Sequence, residues 1–170
     1  MTLFPDHLTA LSRETLESFR RAGLRATAAE SCTGGLIAGL LTEIAGSSDV
    51  VGRTFVTYSN EAKQQVLGVP ASVLEAKGAV SAETVTAMAE GALRACGRDA
   101  DVAVAVSGVA GPGGGSPEKP VGTVYIAVAS RGGMTSADRH QFPGDRTEIR
   151  LRTVEAALRM MAERVSSKPA

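Results

Sequence analysis

The chain has 170 residues, with 18 Lys+Arg against 18 Asp+Glu, 44% hydrophobic and 21% charged. That length suits one domain and that hydrophobic content excludes a disordered chain. A net charge of zero with no run of like charges leaves nothing to gather nucleic-acid phosphates, so no nucleic acid is expected as a partner. The longest uncharged stretch, 102–117, carries five glycines and two prolines, and a bilayer-crossing helix needs about 20 mostly apolar residues. No membrane association is expected. Residues 1–7 lack the basic-then-apolar order of a secretory leader, so the expected compartment is the cytoplasm. Cys32 and Cys96 form no Cys-x-x-Cys pair and only His7 and His140 are available to join them, so neither a disulfide framework nor a metal site is indicated. No cofactor is expected.

Leu8, Leu11, Leu16 and Phe19 fall on one face of a first helix that Gly23 closes. Residues 24–29 read as a short strand leading into Glu30-Ser31-Cys32-Thr33-Gly34-Gly35. Leu36, Ile37, Leu40, Leu41 and Ile44 then recur at helical spacing up to Gly46, which predicts strand, tight glycine turn and helix. Residues 50–58 read as a second strand, after which Ser59 or Asn60 caps a helix carrying Lys63, Val66 and Leu67 and ending at Gly68. Pro70 opens a short helix, and Ser81 caps a longer one with Val85, Met88, Ala89, Ala92, Leu93 and Cys96 on its apolar face.

The run Val102-Ala103-Val104-Ala105-Val106 suits a strand buried on both faces of a parallel sheet. A glycine-dense loop covers 107–120, strands are expected over 121–130 and 135–142 around Gly132-Gly133, and Leu151, Val154, Leu158, Met161 and Val165 stripe a last helix. The expected fold is a single α/β domain, three-layer α/β/α, with a mixed, mostly parallel sheet. It spans 1–170 with its core over about 8–165, without repeats or linkers.

Open α/β sheets bind ligands beyond the carboxyl ends of their strands, and three polar loops fall there: 30–35, 58–63 and 107–115. In the first, Ser31 precedes two glycines that let the backbone turn sharply and present amides to an oxyanion; alternatively Ser31 or Thr33 merely caps the helix. A serine needs a base to take its proton, and no histidine occupies a comparable loop. Lys63, near a helix start where burial disfavours its ammonium form, is the remaining base, with Tyr58 relaying a proton or holding the lysine. Cys32 is a second possible nucleophile, ranked below Ser31 for want of a nearby histidine. The glycine loop, with Ser107, Gly108, Ala110, Gly111 and Gly113, can bring amides to one anion, but it lacks the Gly-Lys-Ser/Thr ending of a nucleoside triphosphate site. Lys119, Thr123 and Arg146 can add hydroxyl and cationic contacts, Arg146 being the best phosphate or carboxylate partner.

Six ordered motifs carry a resemblance: Ala29-Glu30-Ser31-Cys32-Thr33-Gly34-Gly35, Thr57-Tyr58-Ser59-Asn60-Glu61-Ala62-Lys63, Gly78-Ala79-Val80-Ser81, Ser107-Gly108-Val109-Ala110-Gly111-Pro112, Lys119-Pro120-Val121-Gly122-Thr123-Val124 and Gly144-Asp145-Arg146. Together they resemble the C-terminal domain of the CinA family, the nicotinamide mononucleotide deamidases, over about residues 8–165. The resemblance implies hydrolysis of the carboxamide of nicotinamide mononucleotide to nicotinic acid mononucleotide and ammonia, without a metal. It implies Ser31 as nucleophile, Lys63 as base and Tyr58 as the assisting hydroxyl. Glu30, Cys32, Thr33, Gly34 and Gly35 are then the oxyanion and supporting group. Asn60, Ser107, Gly108, Ala110, Gly111, Gly113, Thr123 and Arg146 are the expected nucleotide contacts. The molybdopterin-binding-like N-terminal domain of longer members is expected to be missing, and a homodimer is expected. The competing expectation is a non-catalytic nucleotide- or phosphate-binding module with a regulatory role.

Overall fold

The computed structural model describes residues 3–167 of the chain; residues 1–2 and 168–170, the ends of the expected domain, lie outside the described residues. Among the described residues six helices and five strands follow in order: α1 (Asp6–Ala22), β1 (Ala26–Glu30), α2 (Leu36–Thr42), β2 (Phe55–Val56), α3 (Asn60–Leu67), α4 (Ala71–Lys77), α5 (Ala82–Cys96), β3 (Val102–Gly108), β4 (Thr123–Ser130), β5 (Ser136–Gln141) and α6 (Arg146–Ser166), with short 3-10 turns at Ser47–Asp49 between α2 and β2 and at Gly97–Asp99 after α5. One five-stranded sheet runs in the order β2-β1-β3-β4-β5. β1 pairs parallel with both β2 and β3, and β4 pairs antiparallel with β3 and β5, so four strands point one way and β4 alone is reversed. This is the mixed, mostly parallel sheet of a single α/β domain. No helix among the described residues is long and apolar enough to cross a membrane.

The alternation in β3 explains the layers. Val102, Val104 and Val106 join Val124, Ile126 and Val128 on the face packed by α1, α2 and α6. Ala103 and Ala105 join Ala29, Ala127 and Ala129 on the opposite face, packed by α5. Successive side chains of a strand point to opposite faces, so the Val/Ala alternation builds a thick core on one side and a thin one on the other. The thin face lets α5 lie close to the sheet, and Gly91 lets α3 lie close to α5, because a Cβ there would overlap the carbonyl of Leu67. That approach sets where α3 carries Lys63.

Helix ends follow the sequence closely. Gly23 and Gly68 adopt left-handed conformations after α1 and α3. Ser59 and Ser81 cap α3 and α5 through the amides of Ala62 and Thr84. The strand expected over 50–58 is the main departure: only Phe55–Val56 forms, with an isolated bridge from Val51 to Ala26. It is an edge strand, paired on one side only, and Gly52, Arg53 and Val56 are exposed. α2 ends at Thr42, short of Gly46. β3 runs on to Gly108, so Ser107 and Gly108 belong to a strand end rather than to the glycine loop.

Candidate active site

The carboxyl ends of β1, β2 and β3 open into a cleft of about 220 Å³ lined by Ser31, Cys32, Tyr58, Lys63, Ala79, Val80, Ser107, Gly108, Ala110 and Arg146. Arg146 gives it a fixed positive charge, Lys63 is its other basic group, and no carboxylate lines it. The cleft therefore favours an anion.

Ser31 leaves β1 anchored, its amide donating to the Val106 carbonyl at 3.1 Å, while the Thr57 amide donates to the Glu30 carbonyl at 2.8 Å. The chain then turns within four residues. The Gly34 amide closes the turn on the Ser31 carbonyl at 3.1 Å, and Gly34 and Gly35 have φ of 59° and 97°, a region that side chains with a Cβ rarely adopt. Beneath the turn, the wholly buried Glu30 carboxylate accepts from Thr33 Oγ1 at 2.6 Å and from the amides of Gly35, Ile37 and Ala38 at 3.0, 3.1 and 2.9 Å. These are the donors that open α2, so Glu30 caps the helix from one residue before Ser31, with the favourable charge for a helix N-terminus. Neither Ser31 nor Thr33 serves as the cap.

Lys63 is 1% exposed, and its Nζ lies 3.0 Å from Ser31 Oγ, 2.9 Å from the Thr57 carbonyl and 3.4 Å from the Tyr58 carbonyl. Burial pushes its pKa below the ordinary lysine value, against a smaller opposing effect from Cys32. A neutral amine has two N–H groups and one lone pair. The two carbonyls can take the N–H groups, which leaves the lone pair for the Ser31 hydroxyl proton. The Cys32 thiol, buried and set near the Glu30 carboxylate, is pushed up to about 11. It is therefore a thiol and not a thiolate at neutral pH, which removes the grounds for treating it as the nucleophile.

Several expected contacts fall elsewhere. The Tyr58 side chain is 64% exposed and its hydroxyl is 3.4 Å from Arg146 Nη2; the residue holds Lys63 by its backbone carbonyl instead. The amides of Gly34 and Gly35 are engaged by Ser31 and Glu30 and are not open to an oxyanion. Among the described residues no backbone or carboxylate acceptor takes the amides of Cys32 and Thr33, so these two are the donors left at the turn. Thr123 is buried with its hydroxyl on Gln141 Oε1 at 2.9 Å, because it opens β4 and faces its β5 partner. Asn60 is an exposed first residue of α3, and Gly113 is an exposed loop residue; neither lines the cleft. Gly111 offers its carbonyl to Arg146 Nη1 at 2.7 Å. Lys119 donates to the Lys77 carbonyl at 2.9 Å, pinning the loop to the end of α4.

Two features had no assigned role in the sequence. Ala79 and Val80 form an apolar wall of the cleft, and only their place in an ordered motif pointed to them. Arg150, one helical turn after Arg146, grips the turn from the α6 side: Nε reaches the Cys32 carbonyl at 3.1 Å and Nη2 the Thr33 carbonyl at 2.9 Å. Its spacing of four from Arg146 was the available signal.

Fold and cleft define a mixed-sheet α/β protein with a buried hydroxyl–amine pair and an anion-favouring mouth at its parallel strand ends. The chain belongs to the CinA C-terminal domain family, whose model matches residues 8–165. It is 52% identical over 151 residues to the nicotinamide-nucleotide amidohydrolase PncC of Enterobacter agglomerans, covering 89% of this chain and 91% of that protein. It is 56% identical over 135 residues to a CinA-like protein of Akkermansia muciniphila, covering 79% of this chain but 32% of that protein. This chain thus spans about a third of that longer relative. The crystal structure of competence/damage inducible protein CihA from Agrobacterium tumefaciens superposes with a TM-score of 0.93 at 50% identity, covering 98% of this chain and all of that one.

Proposed function

We propose that the chain hydrolyses the carboxamide of nicotinamide mononucleotide to nicotinic acid mononucleotide and ammonia, with Ser31 as nucleophile and Lys63 as base. The observation that carries this reading is the buried Lys63 amine 3.0 Å from the Ser31 hydroxyl, held by two carbonyls and by no carboxylate. The amidohydrolase name of the Enterobacter relative, which matches this chain nearly end to end, supports the reaction class.

Ser31 Oγ attacks the carboxamide carbon as its proton passes to Lys63 Nζ. The amides of Cys32 and Thr33 take the charge on the carbonyl oxygen. Lys63 returns the proton to the leaving nitrogen, the C–N bond breaks and ammonia departs. Water then adds to the ester carbon, Lys63 again moving the proton, and the acid leaves with Ser31 restored. Arg146, at the mouth with Tyr58, attracts the nucleotide phosphate and positions the ring from a distance, so plain nicotinamide is a poorer substrate. Asn60, Gly113 and Thr123 take no part.

The test is to incubate the purified protein with nicotinamide mononucleotide and follow ammonia and nicotinic acid mononucleotide, beside Ser31→Ala and Lys63→Ala. Product from the native protein and none from either variant is the expected result. Binding without product would replace this reading with the non-catalytic nucleotide module.

A further inference from the structure

We propose that Arg150 is a positioning residue of the hydrolysis, holding the peptide planes of the nucleophile turn so that the Cys32 and Thr33 amides act as the oxyanion donors. The inference rests on Ser31 being the nucleophile, as argued above. Arg150 is absent from the cleft lining and reaches the turn from behind.

The geometry has three parts. A peptide unit is planar, and in its trans form the C=O and N–H point in opposite directions. Arg150 Nε fixes the Cys32 carbonyl toward α6, so the Thr33 amide of the same unit points away from α6. The Gly34 amide fixes the Ser31 carbonyl, so the Cys32 amide of that unit points away from the turn closure. Glu30 holds the far side through Thr33 Oγ1 and three amides, and Arg150 holds the near side through two carbonyls. Those planes are therefore braced from both sides.

The residue type follows from the contact. Arg150 forms no ion pair among the described residues, so its charge is directed at two carbonyls. A cation on the Cys32 carbonyl draws density through the conjugated peptide and makes the Thr33 N–H a stronger donor. Only a planar fork reaches adjacent carbonyls with separate nitrogens. The helix that carries Arg150 starts at a fixed point: Asp145 and Glu148 form a capping box, with bonds of 2.9 and 2.8 Å.

The experiment compares native protein with Arg150→Lys, Arg150→Gln and Arg150→Ala. The readouts are kcat and KM on nicotinamide mononucleotide and the rate at which a fluorophosphonate labels Ser31, forming the Oγ–P bond as fluoride leaves. Labelling places a phosphoryl oxygen where the carboxamide oxyanion would lie, and it does not depend on the natural substrate. The expected loss in kcat for Gln and Ala is about 100-fold, the scale of one oxyanion donor, with labelling slowed alongside and KM held within about threefold. Lysine keeps part of the rate, and about 10 mM guanidinium ion returns part of it to the Ala variant. Unchanged kcat and labelling in the Ala variant overturn the proposal. So does a loss shared by kcat, KM and melting temperature that guanidinium does not relieve, which is the mark of a merely structural brace. Native protein that is labelled at Ser31 yet leaves the nucleotide intact sinks the substrate assignment alone, and the labelling series still decides Arg150. Native protein that does neither overturns both.

Discussion

The Ser31 turn and the glycine loop sit at the ends of neighbouring strands and both are rich in glycine, yet they are built on opposite terms. In the turn, Gly34 and Gly35 carry the conformation, a buried carboxylate takes four donors and a guanidinium takes two carbonyls. In the loop, residues 112–118 are exposed and are tied down at few points, chiefly the Ser116–Lys119 turn, the Arg139 contact to the Glu118 carbonyl and Lys119 on Lys77. Glycine density therefore has two meanings here. One marks a conformation braced from both sides, and the other marks an exposed loop held at few points.

The largest expected effects fall on the pair that the turn presents. Ser31→Ala and Lys63→Ala each remove about 10⁴-fold or more of kcat, as nucleophile and base losses do elsewhere, with product release as the measurement. Lys63→Arg fails as badly, because a guanidinium stays charged. The native rate rises with pH as Lys63 loses its proton, at an apparent pKa below the ordinary lysine value of 10.5, since burial disfavours the ammonium. Stability has the same sign. The folded state binds fewer protons than the unfolded one between the depressed pKa and 10.5, so stability rises with pH across that window. Lys63→Met flattens that rise, which chemical denaturation at several pH values would detect.

Glu30→Ala comes next and strikes the brace itself. It strands a hydroxyl and three amides in a buried place, at a cost of about 3 kcal/mol or more, and the melting temperature falls by roughly 6–12 °C. Glu30→Gln keeps the size but trades an acceptor for a donor, so it recovers part of the stability and little of the activity. Equal melting temperatures for native and Ala proteins would contradict the account of the turn. Arg146→Ala then tests the mouth. It removes a charged contact to Gly111 and the expected phosphate partner, so KM rises about 10- to 100-fold while kcat moves less. A fall in kcat with KM unchanged would take Arg146 out of substrate binding.

Much of this contrast was legible in the sequence, and the illegible part has physical causes. Helix caps, glycine stops and the Val/Ala alternation of β3 are local, so the elements and the sheet class could be read directly. Ser31 fell in a loop at a strand end and Lys63 and Arg146 near helix starts, and the structure brings all three to one cleft. The shortened β2 could not be read, because pairing depends on which neighbour an edge strand finds. Thr123 looked available because nothing local announces its bond to Gln141, 18 residues away. Arg150 is 118 residues from Cys32, and an arginine on a helix gives no sign of which carbonyls it will meet.

The smallest expected effect is the sharpest test of the loop half of the contrast. Gly113 lies outside the left-handed region and a Cβ there would meet nothing within 4 Å, whereas Gly111 has φ of 81° and a Cβ would come within 2.6 Å of Val121 Cγ1. Gly113→Ala should leave kcat and KM within about twofold and raise stability by up to about 0.5 kcal/mol, by limiting the unfolded chain. Gly111→Ala should lower stability by about 1 kcal/mol or more and weaken substrate binding, because the carbonyl that orients Arg146 shifts with it. If Gly113→Ala proves as costly as Gly111→Ala, the outer loop closes on the nucleotide, and the two glycine segments would form one rigid site instead of two kinds of chain.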